Sequence, residues 1–222
     1  KWPPASYRAL FGDLTFEKSA NHIVALSENP SEDAARVLTG FMERAYRRPV
    51  TKKEFDRFYQ YAQVLLKETS FTEAMIATFS AVLASPEFLF QCSQPGKLDD
   101  FALAERLSFF LGESMPDETL RELARTGKLR DAGNLKKQVD RLIGKPEFNR
   151  FVKEFLNSWL KLDEINDTDP DRELYPEYAG DWWLVDSMVK ESQLFFSDLI
   201  VNNRPASGLI DSDYTFLDER LA

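Results

Sequence analysis

Apolar residues recur at helical spacing along most of the chain, and capping signals separate one run from the next. Ala34, Val37, Leu38, Phe41 and Ala45 fall three and four residues apart and share one helix face. Asn29, Pro30 and Glu32 open that helix as N-cap, rigid first residue and early acid, and Arg47-Arg48-Pro49 closes it. Thr51 with Glu54 and Ser70 with Glu73 have the spacing of capping boxes, in which hydroxyl and carboxylate satisfy each other's exposed backbone N–H groups. They open a second stripe (Phe55, Phe58, Tyr59, Ala62, Leu65, Leu66) and a third (Ala74, Ala77, Phe79, Val82) ending at Ser85-Pro86.

Beyond a polar stretch around Pro95-Gly96, the best place for a boundary, Asp99 caps a run carrying Leu103, Leu107, Phe110 and Leu111. Pro116-Asp117-Glu118 starts a short helix ending near Gly127, and Leu135, Val139, Leu142 and Ile143 form a stripe closed by Gly144. Pro146 restarts the chain with Phe148, Phe151, Val152, Phe155 and Trp159 on one face. An acidic, Pro-containing loop follows over about 163–180, then a long helix over about 181–201. Strand-like alternation is almost absent. The pattern therefore predicts an all-α chain of about eight helices: a short extended N-terminal tail or remnant of a preceding domain at 1–28, a three-helix unit at 29–92, and a larger helical unit at 99–222, packed on the first.

The 222 residues carry a net charge of -9, with 43% hydrophobic and 29% charged side chains. That balance suits a packed core and opposes disorder, and the negative field disfavours nucleic acid and anionic membrane surfaces as partners. No apolar run approaches the roughly 20 residues of a membrane span. The sequence opens at Lys1 rather than Met, which suggests a fragment or a processed chain. Cys92 is the only cysteine, so neither an internal disulfide nor the Cys-x-x-Cys-His anchor of covalent haem can be built. His22, the only histidine, is the sole imidazole for a base or an axial ligand, and a surface or capped role is the simpler expectation.

Several strings are together distinctive. Glu43-Arg44-Ala45-Tyr46-Arg47-Arg48-Pro49-Val50-Thr51, a helix, and then Ala81-Val82-Leu83-Ala84-Ser85-Pro86-Glu87-Phe88-Leu89-Phe90 resemble one domain of unknown function. The run 103–111, Ser114-Met115-Pro116-Asp117-Glu118, the run 127–131, and the closing Asp213-Tyr214-Thr215-Phe216-Leu217-Asp218-Glu219-Arg220-Leu221 resemble the domain that usually follows it. Both are similar to parts of large planctomycete proteins that are exported and commonly begin with a planctomycete-type cytochrome c domain. The resemblance implies an exported address, at the cell surface or in the periplasm, and other domains of the parent protein as partners. It also implies that any haem sits in another domain. It brings no reaction and no catalytic residues.

Four acids, Asp167, Asp169, Asp171 and Glu173, alternate as in the opening of a calcium loop, where successive oxygens converge on one hard cation. The remainder departs from that pattern, because Arg172 stands at the turn glycine and Tyr178 where a bidentate Glu should close the shell. A solvated acidic loop with Asx turns is the competing expectation. Trp182 and Trp183 are adjacent on a helix and diverge by about 100°. One of them could stack on a sugar ring or a partner domain, or one is buried and the other covers the acidic loop. Arg44, Arg47 and Arg48 gather near a helix C-terminus, which alone favours cations. Glu105, Arg106 and Glu191 are expected to form ion pairs. The chain is thus expected to be a structural or interaction module with no catalytic or cofactor-binding residues of its own. The alternative is an enzyme or binding domain acting on extracellular polysaccharide, calcium-dependent if Asp167, Asp169 and Glu177 form a metal or substrate loop.

Overall fold

A computed structural model describes residues 2–19, 22–90, 96–167, 170–176, 178, 181 and 183–222. Among them are ten α-helices, two short 3-10 turns and one two-stranded sheet, so the chain is all-α but for a small hairpin. It divides into two compact units, Lys1–Ala102 and Leu103–Ala222.

The first unit departs from the expected extended tail. Helix α1 (Ala5–Phe11) ends at Gly12, whose φ of 67° favours a residue without a Cβ. Strands β1 (Thr15–Ser19) and β2 (His22–Leu26) then pair antiparallel, from Thr15 opposite Leu26 to Ser19 opposite His22. Phe11 is 0% exposed and contacts the rings of Tyr7, Phe16, Phe71 and Phe79. The opening segment is part of the core because Phe11 and Ala25 are buried in it and Tyr7, Leu10, Leu14 and Phe16 pack against it, together removing enough apolar surface from water to order the segment.

Helices α2 (Pro30–Tyr46), α3 (Lys52–Leu65) and α4 (Phe71–Leu83) pack mutually, as the stripes require. The α2 stripe is buried at Ala34, Val37, Leu38, Phe41 and Ala45. Both capping boxes form: Glu54 and Glu73 each receive the backbone N–H of their N-cap residue and donate their own N–H to its hydroxyl. The Ala25 N–H donates to Thr72 Oγ1 at 2.8 Å, tying β2 to α4. A four-residue helix, α5 (Pro86–Leu89), follows.

Helix α6 (Asp100–Gly112), whose residues from Leu103 on belong to the second unit, is capped by Asp99, which accepts from the Ala102 N–H at 2.7 Å. Then come α7 (Glu118–Arg125), α8 (Ala132–Ile143), α9 (Phe148–Leu160), a 3-10 turn at Leu162–Asp167 and α10 (Leu184–Val201). Helix α9 packs on α10 and buries Phe148, Val152 and Leu156. After a second 3-10 turn at Ala206–Leu209, residues 211–222 run back over α10 without regular structure.

Candidate functional site

In the first unit the two strings that carry the resemblance converge. The Tyr46 and Ser85 hydroxyls meet at 2.9 Å in the core, Arg48 grips Glu54 through both guanidinium nitrogens at 2.7 and 3.1 Å, and Arg57 reaches Glu87 at 3.1 Å. The bond from Arg48 holds the Glu54 carboxyl down to about 2, assisted by Thr51, while burial raises the Tyr46 phenol. Arg44 donates to the Ala9 carbonyl at 2.7 Å, and the Arg47 guanidinium lies over the Phe88 ring. These arginines serve separate structural contacts.

In the second unit Asp117 caps α7 through the Leu120 N–H and also receives Arg141 and Lys145, both at 2.6 Å. Burial pushes the Asp117 carboxyl up, but the two cations outweigh it and hold the group well below the carboxylate range.

The C-terminal string forms a strap antiparallel to α10. Tyr214 donates to Asp198 at 2.8 Å, Thr215 to Glu191 at 2.5 Å, and Ser187 of α10 to Asp218 at 2.6 Å, with Arg220 paired to Asp181 beyond. As residue numbers rise along the strap, their partners fall along the helix. The strap closes one side of a cavity of about 510 Å³. Leu156, Trp159 and Leu160 come from α9, Glu191, Phe195 and Phe196 from α10, and Leu209, Tyr214 and Thr215 from the segment beyond. Trp159 is 52% exposed, with the Phe196 ring 6.4 Å away. Phe155 stacks on Phe196 at 5.2 Å, and the row of rings continues through Phe151 to Phe110.

The described acidic-loop and tryptophan candidates are not among the residues lining that cavity. Asp167 ends the first 3-10 turn, and the Asp171 carboxylate accepts from the N–H groups of Glu173 and Leu174 at 2.8 and 3.1 Å, the Asx turn anticipated for a solvated loop. Asp169, Glu177, Trp182 and Cys92 lie outside the described residues. Trp183 is 63% exposed at the start of α10, its N–H bonded to Asp181, and His22 is exposed on β2. Among the described residues no group of three or more His, Cys, Asp and Glu side chains is arranged to hold a metal ion. Among the described residues no helix is long and apolar enough to cross a membrane.

Sequence reasoning placed Trp159 in the α9 stripe and the strap in a family string, without joining them. Phe151, Phe155 and Trp159 form a stripe beside the buried Phe148, Val152 and Leu156, so the apolar arc of α9 is wider than one packing partner covers. That excess width was the available signal.

The fold and its polar contacts define a class: a helical module whose strongest ionic groups knit its own helices together. Residues 98–222 match the family model described as PSD4, protein of unknown function (DUF1592), and the chain belongs to that family. Residues 33–92 match PSD5, protein of unknown function (DUF1595), so α1 and the hairpin precede both matched segments. Neither the curated proteins nor the solved structures contain a match to the chain.

Proposed function

We propose that this chain is a structural and interaction module of a larger exported protein, performing no catalysis by itself. The observation that carries this reading is that its most tightly held ionic groups are engaged within the chain, Arg48 gripping Glu54 and Arg141 with Lys145 holding Asp117. Hydrogen bonds from Ser27, Arg48, Arg121 and Tyr214 depress Asp33, Glu54, Glu118 and Asp198, and ion pairing depresses Asp117, while burial raises Tyr46 and Tyr214. A general acid or base works best with a pKa near the operating pH. These groups move away from it, as partners in structural ion pairs and caps do.

The resemblance to planctomycete proteins with a cytochrome c domain supports an exported setting in which the module positions neighbouring domains, any haem residing in one of those. Incubating the chain with a panel of soluble polysaccharides and calcium, while following new reducing ends, is expected to give no turnover. Turnover that is lost on Glu191→Gln or Asp167→Asn would overturn the reading.

A further inference from the structure

The partly exposed Glu191 brings a negative charge to a cavity lined mostly by rings and aliphatic side chains, with Ser192 and Thr215 as its small polar residues. Its described partner is the Thr215 hydroxyl, a neutral donor, and no Lys or Arg among the described residues pairs with it. A carboxylate at the edge of such a cavity, with a neutral hydroxyl as its described partner, leaves its charge available to a cation. In the same cavity Trp159 leaves half of its surface open, and the largely buried Phe196 lines the wall. Aromatic faces attract ammonium and guanidinium groups, most strongly where water is excluded.

The surrounding field has the matching sign. Residues 103–222 carry 24 acidic against 16 basic side chains, so eight of the nine net negative charges lie in the second unit. That field draws cations toward the cavity. Leu156, Leu160 and Leu209 supply apolar surface for a hydrocarbon stem.

We propose that this cavity binds an organic cation, an alkylammonium or alkylguanidinium group, with Glu191 as counter-charge and Trp159 and Phe196 as the ring surface. The cation is either a free small molecule or the end of a basic side chain, since both present the same chemistry.

The test is a calorimetric and NMR titration of the whole chain with n-butylammonium, n-butylguanidinium, uncharged n-butanol and methyl glucoside. Two capped tripeptides, Gly-Lys-Gly and its Nε-acetylated form, complete the set. The cations are expected to bind at least about tenfold more tightly than butanol, an ion pair plus a ring contact exceeding the free energy of one decade. Glu191→Gln retains an acceptor for Thr215 while removing the charge, and should weaken cation binding by about tenfold without altering butanol binding. Trp159→Leu should weaken it as well, with circular dichroism confirming the fold of both variants. Binding of the amines alone identifies a small cation, and binding of the lysine peptide but not its acetylated form identifies a protein side chain; either supports the proposal. Equal or tighter binding of butanol or methyl glucoside, unchanged cation binding by Glu191→Gln, or no cation binding at all overturns it.

Discussion

Tyr46 and Ser85, 39 residues apart, place their hydroxyl oxygens 2.9 Å from each other inside the first unit. Ser85 Oγ also lies 2.6 Å from the Val82 carbonyl, which can only accept. The single Ser85 proton therefore goes to Val82, and Tyr46 is the donor to Ser85. Tyr46→Phe removes that donor and leaves Ser85 with its bond to Val82, a loss of about 1 kcal/mol. Ser85→Ala strands the buried phenol and should cost about 1–3 kcal/mol. Urea denaturation of both single variants and the double checks this, because the double variant should lose less than the sum of the singles.

The Glu54 carboxyl, held at about 2 chiefly by Arg48, makes the first unit acid-sensitive over a defined range. A carboxyl depressed by folding contributes stability above its unfolded pKa, here near the ordinary 4.5, and loses it as pH falls toward the folded value. The advantage of the native chain over Glu54→Gln should be constant at neutral pH and shrink between pH 4.5 and about 2. Arg48 is 40% exposed, so solvent screening limits the pair to about 1 kcal/mol. Glutamine still completes a capping box, which isolates the charge from the cap. A gap between the two chains that does not narrow in acid would disprove the assignment.

These two relationships differ in how legible they were. The Thr51–Glu54 box spans three residues, and its geometry follows once a helix is assumed, so spacing alone predicts it. The α2 stripe is equally local, since 3.6 residues per turn decides which side chains share a face. The Tyr46–Ser85 contact, the Tyr214–Asp198 bond and the place of Trp159 and Glu191 around one cavity depend on how helices cross and where an irregular segment returns. No periodicity encodes those. The N-terminal hairpin escaped for another reason: its five-residue strands carry only Thr15, Ile23 and Val24 as β-branched residues and show no apolar–polar alternation. Its pairing to α4 rests on Thr72, a residue inside a helical stripe.

The position of Phe11 gives a direct check on the N-terminal segment. A true tail could be removed without effect, whereas here Phe11 and Ala25 belong to the same core cluster as α2 and α4. Deleting residues 1–28 should expose that cluster, lower the thermal midpoint and raise binding of a hydrophobic dye. Phe11→Ala, in the full chain, should cost about 3–5 kcal/mol as a buried aromatic truncation. A deletion variant as stable as the full chain would contradict the fold.

Asp117 joins two functions that substitution can separate. It caps α7 through the Leu120 N–H, and it pairs with Arg141 and Lys145 of the α8 end. Asn keeps the cap and removes the charge, so Asp117→Asn leaves two partly buried cations facing a neutral amide. Because all three side chains keep about a third of their surface in water, a loss of about 1–2 kcal/mol is expected rather than the larger figure of a fully buried pair. Asp117→Ala removes the cap as well and should cost about 1 kcal/mol more. The depressed carboxyl also sets the sign with pH: the native chain's advantage over Asp117→Asn is present above the ordinary carboxylate pKa and declines in acid. If guanidinium denaturation at neutral pH found Asn and Ala equally damaging, the cap would contribute nothing, and α7 would be held by Leu120 and Ala124 packing alone.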